Sequence, residues 1–155
     1  MAKRNIFRGL ASVLALGMCM TGLAGCGSEK RADGKTEIEV VSYKPEAVKA
    51  FEKIEKRFNE THDDIHLTIS SPNEAMTILK TRFIREDYPD IIAIGGDINY
   101  SNFLDADLFE DISDLDEVQT VKQAYLDMDK ELEFIPKDGT YALPYVANAA
   151  GILYN

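Results

Sequence analysis

Apolar and polar positions follow two different periods in the first half of the chain. Residues 38–43 and 65–70 carry β-branched and other apolar side chains in short or alternating runs, a pattern typical of strands. Between them, apolar residues recur every three or four positions, which predicts a helix with one apolar stripe that Pro45 opens. The stripe consists of Ala47, Phe51, Ile54 and Phe58.

A second helix and a third strand are predicted next. Ser71-Pro72-Asn73-Glu74 matches a capping box, with Ser at the cap and Glu three residues later. The helix would carry Met76, Leu79 and Phe83 on one face and end before Tyr88-Pro89. Residues 90–94 are continuously apolar after Asp90, which predicts a strand buried on both sides.

The second half continues the alternation of helices and strands. We predict a short helix around residues 100–104, an acidic turn over residues 105–116, and short strands at residues 139–143 and 151–154. A longer helix is predicted from the apolar stripe Val118, Val121, Tyr125, Met128 and Leu132. Strands that alternate with helices predict an α/β fold with a largely parallel sheet.

The amino terminus has the pattern of a secretory signal. Lys3, Arg4 and Arg8 precede an apolar run with small residues, and residues 1–25 contain no acid. The run is shorter than the ~20 apolar residues of a membrane-spanning helix, although an uncleaved anchor is the alternative. Leu23-Ala24-Gly25-Cys26 matches the bacterial lipobox, Leu–small–small–Cys, in which the cysteine is acylated after cleavage.

We therefore expect three parts. Residues 1–25 would be a lipoprotein signal peptide, residues 26–36 the lipidated Cys26 with a flexible tether, and residues 37–155 an α/β lobe. The protein would be lipid-anchored on the extracytoplasmic face of the cell membrane. Because Cys19 lies in the signal, Cys26 would be the only mature cysteine, which excludes an intramolecular disulfide.

The composition limits the partners. The 155-residue chain carries 17 Lys and Arg against 27 Asp and Glu, a net charge of −10 that becomes −13 without residues 1–25. Such acidity argues against nucleic acid as a partner, because phosphate binding needs clustered cations. The acidic turn lacks the pattern of a calcium-binding loop, and His62 and His66 straddle the junction of a helix and a strand. We expect no metal and no cofactor.

Ligands of open α/β sheets bind beyond the carboxyl ends of the strands. Four segments occupy that position: residues 42–44, 72–74, 95–97 and 145–148. Their hydroxyls, amides, carboxylates and aromatic rings suit a polyhydroxylated ligand. The candidate ligand-binding residues are Tyr43, Lys44, Glu74, Asp97, Tyr145 and Asn148.

Each candidate has a structural alternative. Asp97 is equally suited to cap the following helix, Lys44 and Glu74 to remain solvated, and the tyrosines to pack at the rim. An enzyme would pair Asp97 with Glu74 or Asp105 as glycosidase carboxylates. No nucleophile motif accompanies them, and we expect a protein that is not an enzyme.

The order of elements and several motifs resemble the amino-terminal part of the family 1 extracellular solute-binding proteins, of the maltose-binding-protein type. The matching pieces are FEKIEKRFNETH, the leucine-containing acidic stretch at residues 104–115, Tyr88-Pro-Asp-Ile-Ile, Gly139-Thr-Tyr-Ala-Leu-Pro-Tyr and Gly151-Ile-Leu-Tyr-Asn. They cover the chain from about residue 37 to its last residue. The resemblance implies a periplasmic-binding-protein-like (type II) lobe.

By the same resemblance, the protein is a receptor that delivers a solute, a sugar or oligosaccharide, to the permease subunits of an ABC transporter. It places ligand contacts at Tyr43, Lys44, Asp97 and Asn148. Family members often stack sugars on Trp, which is absent here, so Tyr43, Tyr100 or Tyr145 would take that role. A polyamine, peptide or chelate cargo, or a surface lipoprotein without transport, is the alternative.

Family members have two lobes that close on the ligand. The Leu-Tyr-Asn segment leads toward the second lobe in them, and here it ends the sequence at Asn155. We expect an amino-terminal fragment, truncated before the second lobe, that binds ligand weakly because it offers one side of the cleft.

Overall fold

The computed structural model describes residues 32–147, which contain three strands and four α-helices. In chain order they are β1 Thr36–Ser42, α1 Val48–Thr61, β2 Ile65–Ser70, α2 Ala75–Ile84, β3 Ile91–Ala93, α3 Ile98–Asp105 and α4 Gln123–Glu131. Two short 3₁₀ helices, Pro45–Ala47 and Asp116–Thr120, precede α1 and α4. The predicted strands at residues 38–43 and 65–70 and the predicted helix after Pro45 are confirmed.

The three strands form one parallel sheet in the order β2–β1–β3. Thr36 pairs with Ile65 and Val41 with Ser70 on one side, while Val40 pairs with Ile91 on the other. All three strands therefore end at the same edge of the sheet. The predicted α/β class with a largely parallel sheet is confirmed.

Side chains of α1 cover the outer edge of β2. The Asn59 amide donates to the Leu67 carbonyl and accepts from the Leu67 amide, both at 2.8 Å. The Glu55 carboxylate accepts from the Ile69 amide, also at 2.8 Å. These bonds satisfy backbone groups that an edge strand otherwise offers to another chain.

The apolar stripe of α1 is less buried than its spacing predicts. Phe51 and Phe58 are half-buried, whereas Ile54 is 53% exposed. Among the described residues, α1 packs against β2 at the margin of the sheet. A helix in this position buries a narrower face than a helix laid across the centre of a sheet.

The predicted capping box is wrong. The helix α2 begins at Ala75, with Glu74 as a cap whose side chain makes no capping bond. The Ser71 hydroxyl instead donates to the Ser42 carbonyl at 3.2 Å, because Ser71 follows β2 directly and lies beside the end of β1. The predicted inner face of the helix is confirmed, since Leu79 is fully buried and Met76 and Phe83 are half-buried.

The core continues from α2 into α3 through aromatic rings. Phe83 meets Phe103 edge to face at 5.0 Å, and Phe109 stacks on Tyr100 at 5.7 Å. Leu104 is fully buried beside them in sequence. Edge-to-face and offset pairs at these separations are favourable beyond the area that they bury. The ring contacts fix α3 against α2.

Three further predictions need correction. The strand β3 is shorter than residues 90–94 and not buried on both sides, since Ile91 is 51% exposed on the outermost described strand. The predicted long helix is divided, because Val121 and Lys122 adopt extended backbone between the 3₁₀ helix and α4. Residues 139–143 form no strand, and the predicted strand at residues 151–154 lies outside the described residues.

Residues 139–140 are instead held by hydrogen bonding to the Asp111 carboxylate. The Asp111 carboxylate accepts from the amides of Ser113 and Thr140, each at 3.0 Å. Together with the Ser113 hydroxyl, these bonds hold the pKa of Asp111 below its usual value. Gly139 has a φ of +107°, and a Cβ there would lie 2.5 Å from the Asp111 carboxylate, so only glycine fits.

Candidate functional site

The carboxyl ends of β1 and β3 bring the first candidate residues together. The Tyr43 amide donates to the Ala93 carbonyl at 3.0 Å, which extends the pairing of the two strands by one residue. Tyr43 and Lys44 therefore begin the loop at the edge where Gly95 and Asp97 follow β3. This is the crevice position that parallel sheets use for ligands.

Lys44 lies against the ring of Tyr43. Its ammonium nitrogen is 4.8 Å from the ring centroid, a cation–π distance, and 3.6 Å from the Glu46 carboxylate. The pKa of Lys44 is raised, first by hydrogen bonding to Tyr43 and then by its charge interaction with the same residue. The predicted solvation of Lys44 is thus incomplete, because the side chain is held on an aromatic face.

Asp97 caps α3. Its Oδ1 accepts from the Asn99 amide at 2.8 Å and from the Asn99 side chain at 3.0 Å. The structural alternative for Asp97 is therefore present in this fold. Capping occupies Oδ1 and leaves Oδ2 without a hydrogen bond to the described residues.

Gly95 is the point where Tyr43 and Asp97 converge. A Cβ added at Gly95 would lie 3.2 Å from the Tyr43 hydroxyl and 3.3 Å from Asp97 Oδ2. The hydroxyl and the carboxylate oxygen thus flank the same glycine backbone. A side chain at this position would fill the space between them, so glycine keeps both polar atoms accessible.

Tyr145 joins the same group. Its ring is 60% exposed, and its pKa is raised by burial of the hydroxyl and then by Tyr43, while Lys44 lowers it. Tyr145 therefore interacts electrostatically with Tyr43 and Lys44. We call Tyr43, Lys44, Asp97 and Tyr145 the strand-end cluster.

The remaining candidates have different outcomes. Glu74 is exposed in the loop after β2, on the same edge of the sheet, and shares no bond with the strand-end cluster within residues 32–147. Asn148 and Cys26 lie outside the described residues. Tyr100 is only 5% exposed, so it is no surface platform for sugar stacking, contrary to that prediction.

The strand-end cluster can bind hydroxyl groups. It combines an unused carboxylate oxygen, a phenol hydroxyl, an ammonium group and two aromatic rings on one edge of the sheet. Residues 32–147 hold no group of three or more His, Cys, Asp or Glu that is arranged for a metal ion. The two histidines have separate partners: His62 stacks on Phe58 at 3.9 Å, and His66 pairs with Glu37 at 3.2 Å.

Sequence reasoning missed a second feature, a cavity between α3, α4 and residues 140–142. Its lining includes Tyr100, Asp129 and Glu133. These residues are placed by packing of distant segments: the Ser101 hydroxyl donates to the Leu132 carbonyl, and Leu132 lies against Gly96. No spacing of residues within one segment of the sequence predicts how these distant segments pack together.

The described residues contain no helix with the length and hydropathy needed to cross a bilayer.

Comparison with known proteins agrees with this architecture. The chain is 30% identical over 151 residues to the multiple sugar-binding protein of Streptococcus mutans, a match that covers 95% of this chain and 33% of the relative. The chain therefore spans about a third of the length of that curated relative.

Two solved structures share the fold. The ligand-free form of RafE from Streptococcus pneumoniae is 29% identical with a TM-score of 0.54, over 66% of this chain and 25% of RafE. RafE in complex with raffinose is 30% identical with a TM-score of 0.55, over 60% of this chain and 24% of RafE.

The profile of the bacterial extracellular solute-binding proteins matches residues 37–155, from the second residue of β1 onward. That range includes all of the strand-end cluster and most of the chain. The chain belongs to the family of bacterial extracellular solute-binding proteins.

Proposed function

We propose that this chain supplies one wall of an extracytoplasmic carbohydrate-binding site in a receptor that delivers sugar to an ABC transporter. The observation that carries the proposal is that Tyr43 and Asp97 flank Gly95 where β1 and β3 end, with Tyr145 interacting electrostatically with Tyr43. A carboxylate accepts hydrogen bonds from paired hydroxyls, and an exposed tyrosine ring covers the C–H face of a sugar. Its sugar-binding relatives support this choice of ligand.

The geometry favours ligand binding and not catalysis. Asp97 Oδ1 is engaged in capping α3, and its Oδ2 lies beside Gly95, as the Tyr43 hydroxyl does. A glycosidase needs two carboxyl groups about 5–9 Å apart on either side of the bond that breaks. Glu74 shares no described contact with Asp97. The proposed role is therefore that of a binding protein and not of an enzyme.

Weak binding is expected from the chain alone. The strand-end cluster is exposed on one side, since Tyr145 is 60% exposed and Asp97 lies on the surface. Small-molecule sites commonly bury about 70–90% of the ligand surface, which a single exposed wall does not do. We propose that residues 37–155 form the amino-terminal lobe and that a second lobe provides the opposite wall.

Substitution of Tyr43 tests the assignment. In saturation-transfer NMR with raffinose, we expect the full chain to bind with a dissociation constant of about 1 mM, and Tyr43→Ala to weaken binding about tenfold. The loss follows from removal of the ring that supports Lys44 and of the hydroxyl beside Gly95. Signal transfer to the sugar protons is the measurement.

Tyr125→Ala is the matched control, because Tyr125 is a half-exposed tyrosine on α4 outside the strand-end cluster. Equal effects of the two substitutions would show that Tyr43 is not part of a sugar site. Saturation by spermidine or a short peptide, with no response to raffinose, would instead assign the cluster to another cargo.

We also propose that residues 1–25 are a signal peptide and that residues 26–36 form a lipidated tether starting at Cys26. The lipobox sequence supports this assignment. In a bacterial host, Cys26→Ala should abolish incorporation of labelled palmitate and leave the precursor uncleaved, because no thiol remains to carry the thioether-linked lipid. Cys19→Ala is the control, and unchanged labelling of Cys26→Ala would overturn the proposal.

A further inference from the structure

Hydrogen bonds fix the backbone on both sides of Lys44. Its amide donates to the hydroxyl of Ser42 at 3.2 Å, and Ser42 is fully buried at the end of β1. Its carbonyl accepts from the Ala47 amide at 3.0 Å, within the 3₁₀ helix that Pro45 opens. The proline ring also restricts the backbone that follows Lys44. The Cα–Cβ bond of Lys44 therefore leaves the loop in a set direction.

The ammonium group of Lys44 lies over the ring of Tyr43. The nitrogen is 4.8 Å from the ring centroid, inside the limit of about 6 Å for a cation–π contact, and 3.6 Å from the Glu46 carboxylate. Only 26% of the Lys44 side-chain surface is exposed, against 68% for Glu46. Hydrogen bonding to Tyr43 is the largest cause that raises the pKa of Lys44, and electrostatic interactions with Glu46 and Tyr145 add to it. Lys44 is therefore a cation at neutral pH.

The surroundings of this ammonium group are those that recognise a cationic ligand. An aromatic face next to a carboxylate attracts an ammonium group through the ring quadrupole and through opposite charge. A polyamine consists of ammonium groups joined by alkyl chains, so it would meet the same ring and the same carboxylate. Here the position on Tyr43 is filled by the side chain of Lys44. A second cation would have to displace that side chain or lie beside it, where like charges repel.

A neutral sugar meets no such conflict. Its hydroxyl groups both donate and accept, so they can bond to the Lys44 ammonium group as well as to Asp97 Oδ2. An ammonium ligand only donates, so the carboxylate attracts it while Lys44 opposes it. The opposing charge matters in this chain, because a net charge of −10 and the exposed Asp97 favour cations in general.

We propose that Lys44 is a specificity-determining residue that excludes cationic cargo from the strand-end cluster. Its ammonium group takes the place on Tyr43 that an ammonium group of a polyamine would occupy. Specificity of this kind depends on a repulsive element as well as on attractive contacts. The inference rests on the proposed function, since it explains how a carbohydrate receptor with an acidic composition rejects polyamines.

Titration of spermidine into the full 155-residue chain tests the exclusion, with the ring signals of Tyr43 followed by NMR at constant ionic strength. We expect Lys44→Ala to bind spermidine about tenfold more tightly than the wild-type chain, because the ring and the Glu46 carboxylate become free for an ammonium group of the ligand. Lys44→Arg should bind spermidine as weakly as the wild-type chain, since arginine keeps the cation in place.

Lys49→Ala is the matched control, because it removes the same charge from an exposed position on α1. We expect this variant to change the spermidine affinity less than about twofold, as a single exposed charge is screened by salt. An equal gain in Lys44→Ala and Lys49→Ala would overturn the proposal, because the effect would then be one of net charge. Unchanged affinity in Lys44→Ala would overturn it as well.

The wild-type chain provides a second measurement that needs no variant. The Hε protons of Lys44 should be shifted upfield by the ring current of Tyr43, and unshifted protons would contradict the proposal. Raffinose titrations of the same chains separate the exclusion of cations from the carbohydrate site. Absence of raffinose binding in every chain contradicts the carbohydrate site, whereas the spermidine comparison still decides the role of Lys44.

Discussion

Leu79→Ala should lower the free energy of unfolding by about 2–5 kcal/mol, the range measured when a buried leucine is truncated. Leu79 is fully buried on the inner face of α2, one turn from Ala75, which is 2% exposed. Truncation removes apolar surface from the core and leaves a cavity that the close-packed neighbours fill only in part. Urea unfolding of the full chain measures the change as a lower midpoint at constant slope.

Ile78→Ala is the control for this measurement. Ile78 is the preceding residue of the same helix and is 39% exposed, so its truncation creates no closed cavity. We expect a loss below about 1 kcal/mol, partly offset by the higher helix propensity of alanine. Similar losses for both variants would show that the face of α2 carrying Leu79 is not the buried face described above.

The strands β1 and β2 could be predicted from the sequence because their signals are local. Alternating Ile65, Leu67 and Ile69 gave the bounds of β2, and the structure has the same range. The apolar stripe located α1 equally well, since a helix repeats every 3.6 residues wherever it packs. How deeply each side chain is buried could not be predicted from such local patterns. Ile54 and Ile91 are exposed because of what their helix and strand pack against.

The capping-box error has a related cause. The Ser-x-x-Glu spacing is present, but the Ser71 hydroxyl finds a carbonyl on β1 and does not cap α2. A pattern within one segment contains no information about a competing partner 29 positions earlier in the sequence. The same limit explains the divided helix at Val121, where apolar periodicity continues through extended backbone.

The candidate site could be predicted in part. Parallel strands end at a common edge, so segments that follow β1 and β3 had to meet, and Tyr43 and Asp97 do flank Gly95. The contribution of Tyr145 depends on how the chain returns from α4, which the sequence does not encode locally. The cavity at Asp129 depends wholly on the packing of α4 against α3, so no spacing rule could find it.

Replacement of Arg82 by methionine should cost about 1.5–3 kcal/mol of stability, the range for hydrogen bonds to charged groups. Arg82 on α2 donates from both terminal nitrogens to the Glu39 carboxylate on β1, each at 2.7 Å, and reaches Asp87 at 3.0 Å. Glu39 is also held through its backbone amide, which donates to Asp90 at 2.8 Å. The guanidinium thus connects β1, α2 and the loop that leads to β3.

Two comparisons separate this pair from an ordinary surface ion pair. Arg82→Lys retains the charge but loses the planar fork, so an intermediate loss is expected. Lys56→Met breaks a pair at 3.8 Å whose side chains are 77% and 63% exposed, and should cost under about 1 kcal/mol. In the Arg82–Glu39 pair the exposures are 20% and 34%, which limits screening by solvent and salt.

A double-mutant cycle with Glu39→Gln identifies the source of the loss. If the paired bonds stabilise the fold, the second substitution should cost much less once Arg82 is absent, giving a coupling energy of about 1 kcal/mol or more. Independent, additive losses would mean that Arg82 acts through packing of its alkyl stem. Glu39 lies on β1, and Tyr43 directly follows that strand. Loss of the Arg82–Glu39 pair should therefore also loosen the strand that positions the strand-end cluster, which amide hydrogen exchange along β1 would detect.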